Sequence, residues 1–156
     1  MKFILTLLCL LVYGNSQNPC LATDSKAYIE AGKRYIQFMI NVGQAQDEES
    51  YLSEIPILFS ENCQKIENGT ILFKTSNGFQ SQLKAARKAV GVWNISILDL
   101  LPCPIDQGCV ILFSWTSDKI GPHLTMIILK FDSTMKIKEV NEVFNRFDAP
   151  LKESQL

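Results

Sequence analysis

The feature that most constrains the fold is a change in hydrophobic period partway along the chain. Over 28–42 and 79–90, apolar residues recur every three or four positions, which is the spacing of one helix face. From Trp93 onward, the apolar residues form four strand-like runs separated by turns that contain Pro, Gly or Asp. The runs cover 93–101, 110–116, 123–131 and 137–144. Because successive strands with short connections pair antiparallel, we expect an antiparallel meander here.

Two helices are expected at the start of the folded region. The first begins at Asp24 or Ser25, either of which can cap a helix, and stops at Gly43. The second begins near Asp47, where acidic residues suit a helix N-terminus. Pro56 bends or ends it, since proline cannot continue a helix.

A hairpin and a third helix follow. Asn68-Gly69 separates the short strand-like runs 63–67 and 70–74, and both positions of a tight hairpin turn need a positive φ. The third helix carries Phe79 on its apolar face and closes at Gly91. The sequence therefore predicts two helices, a hairpin, a third helix and four strands, in this order.

Several short segments occur in an order and spacing that resemble one superfamily. They are Arg34-Tyr35, Leu58-Phe59-Ser60-Glu61-Asn62, Asn68-Gly69, Phe79 and Leu83 followed by Gly91-Val92-Trp93, and Ile128-Leu129-Lys130-Phe131-Asp132 with Lys136-Ile137. In this order, residues 24 to 147 resemble the nuclear transport factor 2-like superfamily, which includes SnoaL-like proteins, ketosteroid isomerases and scytalone dehydratases.

The resemblance implies an α+β fold with three N-terminal-half helices packed on a curved antiparallel sheet, the NTF2-like or cystatin-like cone. Such a cone encloses an apolar cavity and is often dimeric through the outer sheet face. We expect the domain to cover 17–147, followed by a flexible tail at 148–156. The residues expected to line the cavity are Tyr35, Phe38, Met39, Trp93, Trp115, Ile127 and Phe131.

The N-terminal residues 1–16 are typical of a secretory signal peptide. Lys2 supplies the positive charge, an apolar run follows, and the small residues Gly14 and Ser16 have cleavage spacing. The apolar run is too short to span a bilayer, so we expect a secreted protein with no membrane span after cleavage. We expect the product to be extracellular, or periplasmic if the source is a bacterium.

Charge and motif content exclude several classes of function. The chain has 15 basic and 16 acidic residues, a net charge of -1, which gives no electrostatic footprint for nucleic acid. The sequence contains no glycine-rich phosphate loop, dinucleotide fingerprint or paired-histidine motif. We therefore expect no cofactor and no metal.

Signal cleavage would remove Cys9 and leave four cysteines in an oxidising compartment, which favours two disulfides. Cys103 and Cys109 flank a turn-rich stretch and are predicted to pair, leaving Cys20 to pair with Cys63. Three connectivities are formally possible.

The resemblance to ketosteroid isomerases suggests two catalytic candidates. Tyr35 stands where that family has its oxyanion-stabilising tyrosine, although a core tyrosine is the simpler interpretation. Glu67 stands where the family has its general base, although its place before the hairpin turn favours an exposed position. Ile127 replaces the family's second oxyanion donor, and this departure argues against ketosteroid isomerase chemistry itself.

His123 and Asp99 are further candidates on the predicted strands. His123, the sole histidine, is either a base near the cavity mouth or an exposed turn residue, and the second is favoured. Asp99 is either a cavity acid or a carboxylate at a strand end in water, again with the second favoured.

Asn68 and Asn94 match the N-glycosylation pattern, and a glycan on Asn94 would exclude a dimer through the sheet face.

Three functions remain open at this point. The first is a secreted module without catalysis that binds a small apolar ligand in its cone or acts as a dimeric interaction module. The second is a cofactor-independent lyase or isomerase that uses Tyr35 with Glu67, Asp99 or His123. The third is an extracellular effector that binds proteins through its surface, which predicts a closed cavity and an exposed apolar patch.

Overall fold

A computed structural model describes residues 19–146, with side chains from Ser25 to Phe144. The predicted signal peptide at 1–16 and tail at 148–156 lie outside this range. The helices are α1 (Pro19–Gln44), α2 (Glu49–Leu52), α3 (Ile55–Leu58) and α4 (Ser76–Val90). The strands are β1 (Phe59–Glu67), β2 (Thr70–Phe73), β3 (Trp93–Cys103), β4 (Gly108–Ser117), β5 (Gly121–Phe131) and β6 (Ile137–Arg146), with a 3-10 turn at Pro104–Asp106.

The strands form one sheet in the order β2-β1-β6-β5-β4-β3. The predicted meander is confirmed for β3 to β6, and the predicted hairpin joins β1 to β2. The sheet is mixed, because β1 pairs with β6 in parallel, where a wholly antiparallel sheet was expected. In the sequence, strand pairing is indicated by short turns between consecutive strands. No short turn connects β1 to β6, so their parallel pairing could not be predicted in this way.

The helix ends differ from the prediction where packing outweighs local signals. α1 continues through Gly43 to Gln44. Gly43 does not end the helix; a glycine is needed there because a Cβ would meet the Trp93 ring. The predicted second helix is two short helices, and Pro56 lies in the first turn of α3, where its missing N–H is no loss. Thr75 caps α4 by accepting a hydrogen bond from the Gly78 N–H at 3.2 Å.

α1 and α4 pack on one face of the sheet, called the inner face below. An aromatic cluster joins them to β1: the rings of Phe59 and Phe79 are 4.3 Å apart, and Phe38 lies 5.7 Å from Phe59. Tyr28 of α1 stacks on Phe131 of β5 at 5.9 Å. These contacts fill the space under α1 and leave the cavity toward the other end of the inner face.

Asp132 organises the turn between β5 and β6. One carboxylate oxygen, Oδ1, accepts hydrogen bonds from the backbone N–H groups of Thr134 (2.8 Å) and Lys136 (3.0 Å) and from the Thr134 hydroxyl (2.7 Å). The other, Oδ2, accepts from the Ser60 hydroxyl at 2.6 Å. Partial burial would raise the pKa of Asp132, but these hydrogen bonds hold it at about 2.

The structure does not show the predicted pairing of Cys103 with Cys109, and both thiols are free. Cys109 pairs across the ladder with Pro102, and Cys103 pairs with Gly108, so the two thiols point to opposite faces of the sheet. Cys109 is buried under α1, where burial and then the nearby Cys103 raise its pKa to about 12, whereas the Cys103 thiol donates to Asp106. Cys63 is also a free, buried thiol, and the side chain of Cys20 lies outside the described residues.

Candidate functional site

A cavity of about 250 Å³ lies between the inner face of the sheet and helices α1 and α4. Its apolar wall is formed by Met39, Leu83, Ala86, Val90, Trp93, Ile95, Phe113, Trp115, Ile120, Ile127 and Phe144. Its polar wall is formed by Lys65, Glu67, Gln82, His123 and Glu142. The cavity therefore combines a large aromatic and aliphatic surface with a small group of titratable side chains.

The strand register places the polar groups toward two ends of the inner face. Ile127 of β5 lies opposite Glu142 of β6, and Glu142 lies opposite Glu67 of β1. His123 comes four residues before Ile127 on β5, which corresponds to about 13 Å along the strand. The two carboxylates thus form one end of the polar wall, and the imidazole lies toward the other.

Lys65 joins the two carboxylates into an ion triad. Its Nζ lies 2.6 Å from Glu142 Oε2 and 3.2 Å from Glu67 Oε2, with Gln82 Oε1 at 3.5 Å. Only 7% of the Lys65 side chain is exposed. Burial would lower the pKa of this ammonium group, but the two carboxylates raise it above its ordinary value. Lys65 therefore stays charged and fixes both carboxylates at the cavity wall.

His123 lies inside the cavity wall and is 3% exposed. Its ring stacks on Trp115 with centroids 4.7 Å apart, and it meets the edge of Phe144 at 5.9 Å. Nδ1 lies 3.2 Å from the Gly121 carbonyl oxygen, so the tautomer that fits has its proton on Nδ1. The exposed turn position that the sequence favoured is wrong, because β5 begins at Gly121 and His123 already lies within the strand.

Both tryptophans of the chain line the cavity. Trp93 donates its indole N–H to the Met39 carbonyl at 2.9 Å, and its ring meets Trp115 edge-on at 6.5 Å. Behind it, the Arg87 guanidinium lies 5.4 Å from the Trp93 ring. Arg87 also donates to the carbonyl oxygens of Gly43, Ala45 and Gly91, at 2.7, 2.7 and 2.8 Å. This network fixes the C-terminal end of α1 to α4 and closes one wall.

Four of the seven predicted lining residues line the cavity: Met39, Trp93, Trp115 and Ile127. The other three, Tyr35, Phe38 and Phe131, are 1% exposed each and belong to the packed core. Burial, and then the charge of Glu142, raises the pKa of Tyr35 well above its ordinary value, so the phenol stays neutral.

The structure places Glu67 in the cavity wall and Asp99 outside the cavity. Glu67 lines the cavity and is 26% exposed, although its position beside the hairpin turn had favoured solvent. Asp99 is exposed on the outer face, where its carboxylate accepts a hydrogen bond from the Leu100 N–H. The sequence parity put Asp99 with Trp93, but a bulge between Ile97 and Asp99 reverses the parity.

Lys65, Glu142, Gln82 and Arg87 were not found by sequence reasoning. The alternation Cys63, Lys65, Glu67 does put Lys65 on the same face as Glu67. Glu142 has no such local signal, because its place beside Glu67 depends on the parallel pairing of β1 with β6.

Both predicted glycosylation sites are exposed asparagines. Asn68 lies in the hairpin turn, with a φ of 45°, and its side-chain oxygen accepts from the Phe144 N–H at 3.2 Å. Asn94 lies on β3, where its side-chain oxygen accepts from Gln44 at 2.7 Å. Their glycosylation stays a prediction.

Two further observations concern residues 19–146 alone. In this range, no three His, Cys, Asp or Glu side chains are grouped so that they could hold a metal ion. The helices of this range include none that is long and apolar enough to cross a membrane.

Comparison with solved structures identifies the fold. A candidate isomerase of the SnoaL-like family from Agrobacterium tumefaciens superposes with a TM-score of 0.61 at 12% identity, over 77% of this chain and 98% of that one. Nuclear transport factor 2 from Cryptosporidium parvum gives 0.54 at 13% identity, over 76% and 94%. A candidate polyketide cyclase from Sinorhizobium meliloti gives 0.53 at 10% identity, over 69% and 91%.

The chain has the NTF2-like fold. The resemblance seen in the sequence is thereby confirmed at the level of fold and of the α+β class. No protein-family model matches the chain, and no curated protein matches it by sequence. Since an NTF2-like fold hosts many activities, function has to be argued from the cavity.

Proposed function

We propose that this protein is a secreted carrier that binds one small, largely apolar molecule in its NTF2-like cavity without chemical conversion. The observation that carries the proposal is the cavity of about 250 Å³, whose wall includes both tryptophans, Phe113 and Phe144. Apolar pockets with a few convergent polar groups are the usual form of small-molecule sites.

The volume limits the size of the ligand. An apolar protein cavity of about 150 Å³ holds one benzene molecule. A cavity of about 250 Å³ therefore matches a bicyclic ring system or an aliphatic molecule of similar volume. It is smaller than the roughly 300–1,000 Å³ typical of sites for drug-sized ligands.

Tryptophan fluorescence tests the proposal directly, because both indoles line the cavity. Titration with 1-naphthalenemethanol, a neutral bicyclic probe, is expected to give a saturable change in emission. Ala86→Phe, which fills the cavity from α4, is expected to abolish it. Ala85→Phe is the matched control, since Ala85 is the exposed neighbour on the same helix. Equal binding of the probe by both variants would overturn the proposal, as would a wild type that binds no bicyclic probe, neutral or charged.

A second candidate function is a cofactor-independent lyase or isomerase. The observation that favours it is that Glu67 and His123 line the same cavity. In that case His123 would donate from Nδ1 to the Gly121 carbonyl and use Nε2 as the base. The A. tumefaciens and S. meliloti neighbours are described as a candidate isomerase and a candidate cyclase. Conversion of a bound molecule by the wild type, with loss of turnover but not of binding in His123→Gln, would establish this function over simple carriage.

We also propose that a second copy of the chain covers the outer face of the sheet. Met126 and Val143 are exposed and lie opposite each other on β5 and β6, and Leu101 is exposed on β3. Met126→Lys is expected to convert a dimer into a monomer in sedimentation experiments, because a charge cannot be buried unpaired in such an interface. A monomeric wild type would contradict the dimer, and a glycan found on Asn94 would argue against it.

A further inference from the structure

We infer that the molecule bound in the cavity is a small amine, an apolar body of about bicyclic size with a protonated nitrogen that binds against the carboxylates of Glu67 and Glu142. This inference rests on the proposed function, because it names the chemical class of ligand for the same cavity. It follows from the hydrogen bonds, the charges and the aromatic wall of the cavity.

The carboxylates of the ion triad can still accept hydrogen bonds, whereas the donors of Lys65 already face acceptors. An ammonium group has three donors, and Lys65 faces three acceptors, on Glu67, Glu142 and Gln82. Within the described part of the chain, Lys65 is the ion-pair partner of both carboxylates, in each case through Oε2. An ionised carboxylate can accept about four hydrogen bonds, so both retain unused acceptor capacity.

The charges of the cavity wall also favour a cation. The charged side chains that line it are Lys65, Glu67 and Glu142, one positive and two negative, with a sum of -1. The carboxylates are the more accessible part, with 26% of Glu67 and 14% of Glu142 exposed against 7% of Lys65. A ligand therefore meets carboxylate oxygens before it meets the ammonium group.

The remaining wall suits the apolar part of such a ligand. Trp93, Phe113, Trp115 and Phe144 line the same cavity, with Trp115 and Phe144 packed against His123 at the end away from the carboxylates. Aromatic rings pack well against the apolar ring system of a ligand, so this part of the cavity suits the body of the molecule. An anionic ligand would instead meet two carboxylates and a lysine whose donors already face acceptors.

The test uses three probes that share one bicyclic ring and differ in charge: 1-naphthylmethylamine, 1-naphthalenemethanol and 1-naphthoate. Binding is measured by isothermal titration calorimetry near pH 7, where the amine probe is protonated. We expect the amine to bind about tenfold more tightly than the alcohol, because charge-assisted hydrogen bonds are stronger than neutral ones. The carboxylate probe is expected to bind most weakly.

Single substitutions test whether the cavity carboxylates are the groups that bind the amine. Glu142→Gln keeps the size of the side chain and removes one charge, so it is expected to lower the ratio of amine affinity to alcohol affinity about tenfold. Glu67→Gln should act in the same direction, which provides a second variant if the first does not fold. Glu139→Gln is the matched control: Glu139 is also on β6 and also paired with a lysine, Lys130 at 3.0 Å, but does not line the cavity.

Each result separates this inference from the proposed function. Equal affinity for the amine and the alcohol would overturn the amine inference and leave the carrier function intact. Tightest binding of 1-naphthoate would overturn it as well, because Lys65 would then be the recognising group. Failure of all three probes to bind would overturn the carrier function itself and the inference with it. An equal loss of amine affinity in Glu139→Gln and Glu142→Gln would show that the net charge of the protein, and not the cavity, selects the amine.

Discussion

Replacing Lys65 with methionine tests whether the ion triad is a buried structural element of the cavity wall. The substitution keeps an unbranched side chain and removes the ammonium group from between two carboxylates. Breaking a fully buried ion pair by removing one partner costs about 3–5 kcal/mol. Since Glu142 and Glu67 retain 14% and 26% exposure, we expect the low end, about 3 kcal/mol.

The assay is urea unfolding followed by tryptophan emission, with Lys130→Met as the control. Lys130 also forms an ion pair with a glutamate, but 37% of its side chain is exposed, so its loss should cost less than about 1 kcal/mol. A Lys65→Met variant within about 1 kcal/mol of the wild type would contradict a buried triad, because the ion pairs would then behave like surface pairs.

Two further measurements check the cause of the loss. The folded pKa of Lys65 is raised, so its contribution to stability is complete below its ordinary pKa and is lost as the pH rises through the raised value. The wild type should therefore lose stability at high alkaline pH, and Lys65→Met should lose less. Neutralising the whole triad, with Glu67→Gln and Glu142→Gln added to Lys65→Met, should recover most of the lost stability, because no charge is left buried and unpaired.

Three shorter predictions concern the fold around the site. Asp132→Asn should cost about 1 kcal/mol near neutral pH in urea unfolding; since the folded pKa is lowered to about 2, this difference should vanish as the pH falls from about 4 to about 2. Gly108→Ala should cost about 2–3 kcal/mol in the same assay, because the new Cβ would meet the Leu129 backbone, which cannot move aside; an unchanged midpoint would contradict this. Iodoacetamide should label Cys103 in the native protein but Cys109 only after unfolding, as read by peptide mass spectrometry; a disulfide between them would contradict the structure.

Local signals in the sequence predicted the elements of the fold well. The Asn68-Gly69 turn has positive φ at both positions, and Gly91 ends α4 with a φ of 76°. Each of these signals depends on the conformational preference of one or two residues. The hydrophobic period predicted the four C-terminal strands because the period is also a local signal, which depends only on residues close together in the sequence.

The site was harder to predict because it depends on contacts between distant parts of the chain. Glu142 reaches Lys65 and lies beside Glu67 through the parallel pairing of β1 with β6. A bulge put Asp99 on the outer face, and the sequence carried no sign of it. The position of His123 followed from where β5 begins, a boundary that periodicity does not fix to within two residues.

Native mass spectrometry shows whether the cavity binds one small molecule. The protein would be incubated separately with 1-naphthylmethylamine, 1-naphthalenemethanol and 1-naphthoate at equal concentrations. We predict one added ligand per chain, with the highest occupancy for the amine, in the wild type and in Ala85→Phe, and none in Ala86→Phe. No added mass in the wild type, or the same added mass in both phenylalanine variants, would contradict it.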